Sequence, residues 1–175
     1  MTVRHGLIRF LEDDVENYRG LRLGLVSNST SVDYTCEHTM HRLLAHPAAT
    51  LTAVFGPQHG LFGHTQDNMV EWHSYRDPAS GLPIFSLYGE TRIPTEEMME
   101  NVDAMVFDIQ DVGARYYTFI YTMAYAMKAC SRDNKKMIVL DRPNPITGVH
   151  VEGSTIKSGY TSFVGMYPIL NRHGM

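Results

Sequence analysis

The chain has 175 residues, 43% hydrophobic and 19% charged, a globular balance that excludes a disordered or fibrous protein. A formal net charge of -4 and a sequence isoelectric point near 6.1 give no basic footprint for nucleic acid. No run reaches the ~18 apolar residues that a membrane span needs, the amino terminus MTVRHGLIRFLEDDVENYRG lacks the apolar core of a signal peptide, and Cys36 and Cys130 show no CxxC or Cys/His spacing, so a reducing, cytoplasmic setting without membrane partner or disulfide is expected.

In chain order, residues 21–27 (LRLGLVS) are predicted as a first strand, followed by a polar turn at 28–31 and a helix over 36–45. A second strand is expected at 51–55. Residues 56–71 then form a long loop rich in Gly, His, Gln, Asp and Asn, of the kind that is usually functional or mobile in compact domains. A third strand is expected at 83–88, with Pro94 opening a short helix from its first position. A fourth strand runs over 104–109, a helix over 116–130, and a last strand over 137–140. Strands alternating with helices predict an α/β protein with a doubly wound, mostly parallel sheet in three layers. Periodicity stops after Asp141, so residues 1–145 are read as one α/β domain and 146–175 as the start of a second, truncated one.

Polar groups gather where the predicted strands end. VFDIQDVGARYYT, residues 106–118, places Asp108, Gln110, Asp111 and Arg115 after an apolar run, and Asp141, Arg142 and Asn144 follow the last strand. Ligands of open α/β sheets sit outside the carboxyl ends of the strands, which favours a site; a helix cap with a structural ion pair explains the same residues. The long loop adds Gln58, His59, Gly60, Gln66, Asp67, Asn68 and Glu71, with glycines that allow close backbone approach to a ligand. Tyr116, Tyr117, Tyr121 and Tyr125 line one predicted helix as core, with Tyr117 alone near enough to the strand end to stack on a sugar ring. No GxGxxG, GxxxxGK[ST] or GxSxG occurs, so a dinucleotide, a nucleotide triphosphate or a serine nucleophile lacks its usual signature. His38 and His41, three apart, are a weak metal signal without an HExxH or facial carboxylate pattern, and no metal or cofactor is expected.

LYG at 87–89, FDIQDVGARYYT at 107–118, LDRPNP at 140–145, VEG at 151–153, SFVG at 162–165 and the final RHGM resemble the DUF1343 family, which includes NamZ-type exo-β-N-acetylmuramidases. The resemblance implies a Rossmann-like amino-terminal domain, an active site in a cleft against a carboxy-terminal domain, and action on terminal N-acetylmuramic acid or a related amino sugar of peptidoglycan fragments. Muramidase members read PEHG in the long loop, whereas this chain has Gln58, and an amide cannot transfer the proton of glycoside hydrolysis. Asp108, Asp111 and Glu71 therefore stand as the acid, base or stabilising carboxylates around Gln58. His59, Gly60, Gln110, Arg115, Tyr117, Asp141, Arg142, Asn144 and His173 stand as substrate contacts, with Arg115 or Arg142 reading the lactyl carboxylate. The alternative is a sugar-binding or regulatory homologue that lost its loop carboxylate. An uncovered face at Phe163, Val164, Met166 and Tyr167 would favour self-association.

Overall fold

The computed structural model describes residues 3–65 and 70–175; Gln66, Asp67 and Asn68 of the long loop lie outside the described residues. Alternation along the strands decides the layering. In β1 (Arg22–Ser27), Leu23 and Leu25 face one side of the sheet and Val26 the other. In β2 (Thr50–Gly56), Val54 faces the first side while Ala53 and Phe55 face the second; in β5 (Ala104–Asp108), Ala104 and Val106 oppose Met105 and Phe107. Every residue of β5 is buried, as expected of a strand covered on both faces. With β3 (Tyr75–Arg76), β4 (Pro83–Ser86) and β6 (Lys136–Val139) they form one six-stranded sheet in the order β3-β4-β2-β1-β5-β6. All pairings are parallel except that of the edge strand β3 with β4.

The first face is covered by the amino-terminal helical stretch and by α2 (Thr39–Ala45), through Leu7, Phe10, Met40 and Leu43. That stretch passes from α1 (Gly6–Arg9) through a π turn at Phe10–Asp14 to a 3₁₀ turn at Val15–Tyr18. The second face is covered by α3 (Glu96–Met99) and α4 (Phe119–Arg132), through Met99, Ala126 and Cys130. The doubly wound three-layer α/β architecture is therefore present. No helix among the described residues is long and apolar enough to cross a membrane.

Three helix starts differ from expectation, each for a local reason. Cys36 takes a φ of 64° and the Asp33 carboxylate accepts from the backbone amides of Thr35 and Glu37, so α2 waits until His38 caps it. Pro94 lies outside α3, whose cap is Thr95, its hydroxyl accepting from Met98 N at 3.2 Å. The left-handed Gly113 and a turn from Ala114 to Tyr117 delay α4 to Phe119. β3 and the amino-terminal helical turns are additions that the sequence pattern did not reveal.

Gly6 fixes the amino-terminal layer against the end of β6. Its amide donates to Asp141 O at 2.8 Å, and a Cβ there would stand 2.3 Å from Asp141 N and 2.5 Å from the Leu140 carbonyl carbon. Backbone cannot yield as a flexible side chain would, so Gly6→Ala is expected to destabilise the fold by about 1–3 kcal/mol. A urea midpoint equal to that of the unaltered chain would contradict this docking.

Among the described residues, 146–175 contain no helix or strand. They lie over the carboxyl edge of the sheet, held by Arg115 Nη1 donating to Ser154 O and Ile169 O, both at 2.6 Å, and by Asn144 Nδ2 donating to Met175 O at 2.7 Å. Of the four residues expected to form an uncovered face, Phe163 stacks on Tyr125 and packs on Tyr88, Tyr167 packs on Tyr121, Met166 is half-buried, and Val164 alone is exposed.

Candidate functional site

The parallel strands reverse their order of addition between β1 and β5, the place where open α/β sheets ordinarily bind ligands. Here that crevice is filled by protein. The Asp108 carboxylate, fully buried at the end of β5, accepts from Arg142 Nε at 2.5 Å and Nη2 at 2.9 Å, and from Thr39 Oγ1 at 2.5 Å. Arg142 Nη2 also donates to Val32 O at 3.0 Å, while the Ser31 hydroxyl donates to the Asp108 carbonyl. Asp108, expected as an acid/base or stabilising carboxylate, and Arg142, expected as a substrate contact, thus meet each other at this place. The two neutralise each other and tie the β1–α2 connection to the ends of β5 and β6.

His38 belongs to the same buried network. Its Nδ1 accepts from Met40 N at 3.2 Å as the cap of α2, so Nε2 carries the proton and donates to Asn28 O at 2.9 Å. Burial pushes its pKa below the ordinary 6.5, against the opposing pull of the Asn28 carbonyl. A depressed folded-state pKa makes the unfolded chain the better proton acceptor. Stability from this group is therefore whole above about pH 6.5 and is lost as pH falls toward the lower folded value. We expect His38→Asn, which retains a cap, to flatten the acid limb of a denaturation midpoint series; an unaltered limb would remove His38 as its source.

The open space lies beside this plug. A cavity of about 740 Å³ is walled by Gln58 and His59 beyond β2, Tyr88 and Arg92 beyond β4, Tyr116 to Phe119 leading into α4, and Ser162 to Val164 of the final segment. Trp72 anchors the β2 side, its Nε1 donating to Pro57 O at 3.0 Å. The following turn needs left-handed backbone at His59 (φ 73°) and Gly60 (φ 78°), and a Cβ on Gly60 would stand 2.5 Å from His64 Cε1. His59 Nδ1 donates to Thr65 O at 2.7 Å, which leaves Nε2 as the ring nitrogen not engaged by that bond. Gln58 Oε1 accepts from Thr118 Oγ1 at 3.2 Å, and its amide nitrogen has no partner among the described residues.

Of the remaining sequence candidates, only Tyr117, about half exposed, lines this cavity. Gln110 Nε2 clips Asp111 O and Pro143 O, Arg115 holds the final segment, and Asn144 Nδ2 holds His173 O and Met175 O; these side chains are spent on backbone. Asp111, Asp141 and Arg142 line a second cavity of about 120 Å³ between the ends of β5 and β6 and α4, and Phe119 borders both cavities. Burial raises the Asp111 pKa against the Gly113 amide at 2.6 Å and the His173 ring at 3.5 Å; among the described residues Asp111 Oδ2 and both ring nitrogens of His173 have no hydrogen-bond partner. Glu71 is exposed, 3.7 Å from Arg92 Nη2. The three proposed carboxylates are thus separated: one locked, one on the small cavity and one behind Arg92. Among the described residues no group of three His, Cys, Asp or Glu could hold a metal ion.

Sequence reasoning overlooked Tyr88, Arg92, Thr118 and Phe163. Arg92 lies with its Cζ 4.0 Å from the centroid of Tyr88 and 5.6 Å from that of Phe163. The rule that favoured residues 108–115 applied equally to the stretch after β4, where LYGETR carries both Tyr88 and Arg92.

The family model described as the amino-terminal part of the exo-β-N-acetylmuramidase NamZ matches residues 23–175. The chain is 47% identical over 173 residues to the peptidoglycan β-N-acetylmuramidase NamZ of Bacillus subtilis (strain 168), an alignment covering 99% of this chain and 42% of that protein. Crystal structures of two DUF1343 family proteins from Bacteroides fragilis NCTC 9343 superpose with TM-scores of 0.89 and 0.81, at 41% and 32% identity, over 98% and 100% of this chain. The chain covers 43% and 44% of those two, so it spans less than half the length of these relatives.

Proposed function

Because the chain belongs to the family of NamZ-type exo-β-N-acetylmuramidase amino-terminal domains, we propose that it supplies the sugar-binding wall, and one reacting carboxylate, of a glycosidase that removes terminal N-acetylmuramic acid from peptidoglycan fragments. The cavity of about 740 Å³ carries this reading, because it combines aromatic faces, a free amide, an imidazole and a guanidinium at the carboxyl ends of the strands. In it Tyr117 stacks on a pyranose face, the Gln58 amide donates to the acetamido carbonyl, and His59 Nε2 accepts from a sugar hydroxyl.

Glu71 is the carboxylate we assign to the reaction. Asp108 is neutralised by Arg142, and Asp111 opens onto the smaller cavity, whereas Glu71 stands 3.7 Å from Arg92, a residue of the large cavity's wall. Glycosidases place two carboxyls about 5–9.5 Å apart, so the reaction uses a second acid besides Glu71. Both cysteines are free thiols, which supports a reducing, cytoplasmic setting and fragments recovered from the wall as substrate. Release of para-nitrophenol from para-nitrophenyl β-N-acetylmuramic acid by the natural protein carrying this sequence tests the proposal. Calorimetric binding of N-acetylmuramic acid without turnover would replace the enzyme with a sugar-binding homologue.

A further inference from the structure

The final segment and the plugged switch point take up most of the cations at the carboxyl edge. Arg142 is closed on Asp108 and Val32 O, and Arg115 on Ser154 O and Ile169 O. Arg172 meets Glu152 Oε2 at 3.0 Å and also donates to Ile146 O. Arg92 differs. It lines the 740 Å³ cavity, and its single hydrogen bond among the described residues runs from Nη1 to Gly89 O at 2.8 Å. Glu71 lies beyond hydrogen-bond reach at 3.7 Å, so most of the five guanidinium N–H groups are uncommitted.

The guanidinium is nonetheless held in place. It lies over the Tyr88 ring and is flanked by Phe163, and Phe163 is itself stacked on Tyr125 of α4. A planar donor fork held against an aromatic face loses little freedom on meeting a carboxylate and matches it in bidentate geometry. Muramic acid differs from glucosamine by a lactyl ether that ends in a carboxylate. Resting on the muramoside reading above, we infer that Arg92 is the residue that reads the lactyl carboxylate and selects muramosides over other amino-sugar glycosides. Phe163 and Tyr88 position it. This replaces the assignment of that role to Arg115 or Arg142.

The test compares para-nitrophenyl β-N-acetylmuramic acid with its neutral lactyl-amide counterpart, using the natural protein, Arg92→Gln and Arg92→Lys. The natural protein should favour the acid in kcat/KM by about 10- to 100-fold, the effect of one charge-assisted hydrogen-bonded pair. Arg92→Gln should remove that preference through a raised KM for the acid, and Arg92→Lys should restore part of it. If Arg92→Gln retains the preference, Arg92 does not read the carboxylate, and if it lowers kcat alone for both substrates, Arg92 acts through Glu71; either result overturns the inference. A natural protein that turns over acid and amide equally overturns it while leaving the glycosidase reading intact. If no substrate turns over, calorimetry with N-acetylmuramic acid and its amide decides: binding of the acid that Arg92→Gln weakens 10-fold or more upholds Arg92 without the enzyme, and equal or absent binding rejects it.

Discussion

Replacing Arg142 with Ala is expected to cost about 3–5 kcal/mol, the loss typical of one partner removed from a buried ion pair. The guanidinium is almost wholly buried, with side-chain exposures of 5% for Arg142 and 0% for Asp108, so the abandoned carboxylate has no route to water. The same side chain bridges to Val32 O, and Asp108 also holds Thr39, the first residue of α2. Loss of the pair therefore loosens the β1–α2 connection as well as the end of β5. Asp108→Asn should cost a comparable amount, because it leaves the buried Arg142 guanidinium without its counter-charge and replaces one accepting oxygen with an amide nitrogen that cannot accept. The double variant Asp108→Asn with Arg142→Ala should be less destabilised than the sum of the two, since neither leaves an unpaired charge once both are made. Urea midpoints of the four proteins measure this. A shift within about 0.5 kcal/mol for Arg142→Ala, the size of an ordinary surface change, would show that the pair does not hold the switch point.

That pair also marks the limit of what the residues alone reveal. The apolar run ending at Asp108 was legible because a strand buried on both faces must be continuously apolar, and its polar end followed from the same physics. Residue types could not decide whether Asp108 and Arg142 face a ligand or each other, since both outcomes need an acid and a guanidinium at neighbouring strand ends. In the structure the two meet each other, at 2.5 and 2.9 Å. The cavity wall was hidden for another reason. Gln58, Arg92, Tyr117 and Phe163 come from four separate segments, and Phe163 belongs to a stretch with no periodic pattern, so nothing local signals that it closes over the end of β4. The two-residue β3 and the mixed α, π and 3₁₀ turns at the amino terminus are too short for a period to register. Helix starts were misplaced where a side-chain cap or a left-handed residue overruled the apolar spacing, as at His38, Thr95 and Gly113.

Glu71→Gln is expected to lower kcat on para-nitrophenyl β-N-acetylmuramic acid by about 10²–10⁴-fold, the contribution of a positioned acid–base carboxyl. The change is nearly isosteric and removes the ability to exchange a proton or carry charge, so KM should change much less than kcat. Arg92 sets this expectation apart from a binding effect. It is 3.7 Å from Glu71, beyond hydrogen-bond reach, so removing the carboxylate takes away only a competing negative charge and leaves the guanidinium donors available to the substrate's own carboxylate. Affinity for N-acetylmuramic acid should accordingly hold or rise in Glu71→Gln while turnover collapses. Gln58 supplies the contrast. Its Oε1 is engaged by Thr118 at 3.2 Å, so Gln58→Ala should raise KM by loss of a contact to the acetamido group and leave most of the catalytic step intact. If Glu71→Gln retains full kcat while Gln58→Ala abolishes it, the carboxylate assignment moves away from the long loop. Asp111, whose burial favours the protonated form, would then be the first group to replace, with the 120 Å³ cavity rather than the larger one as the reacting centre.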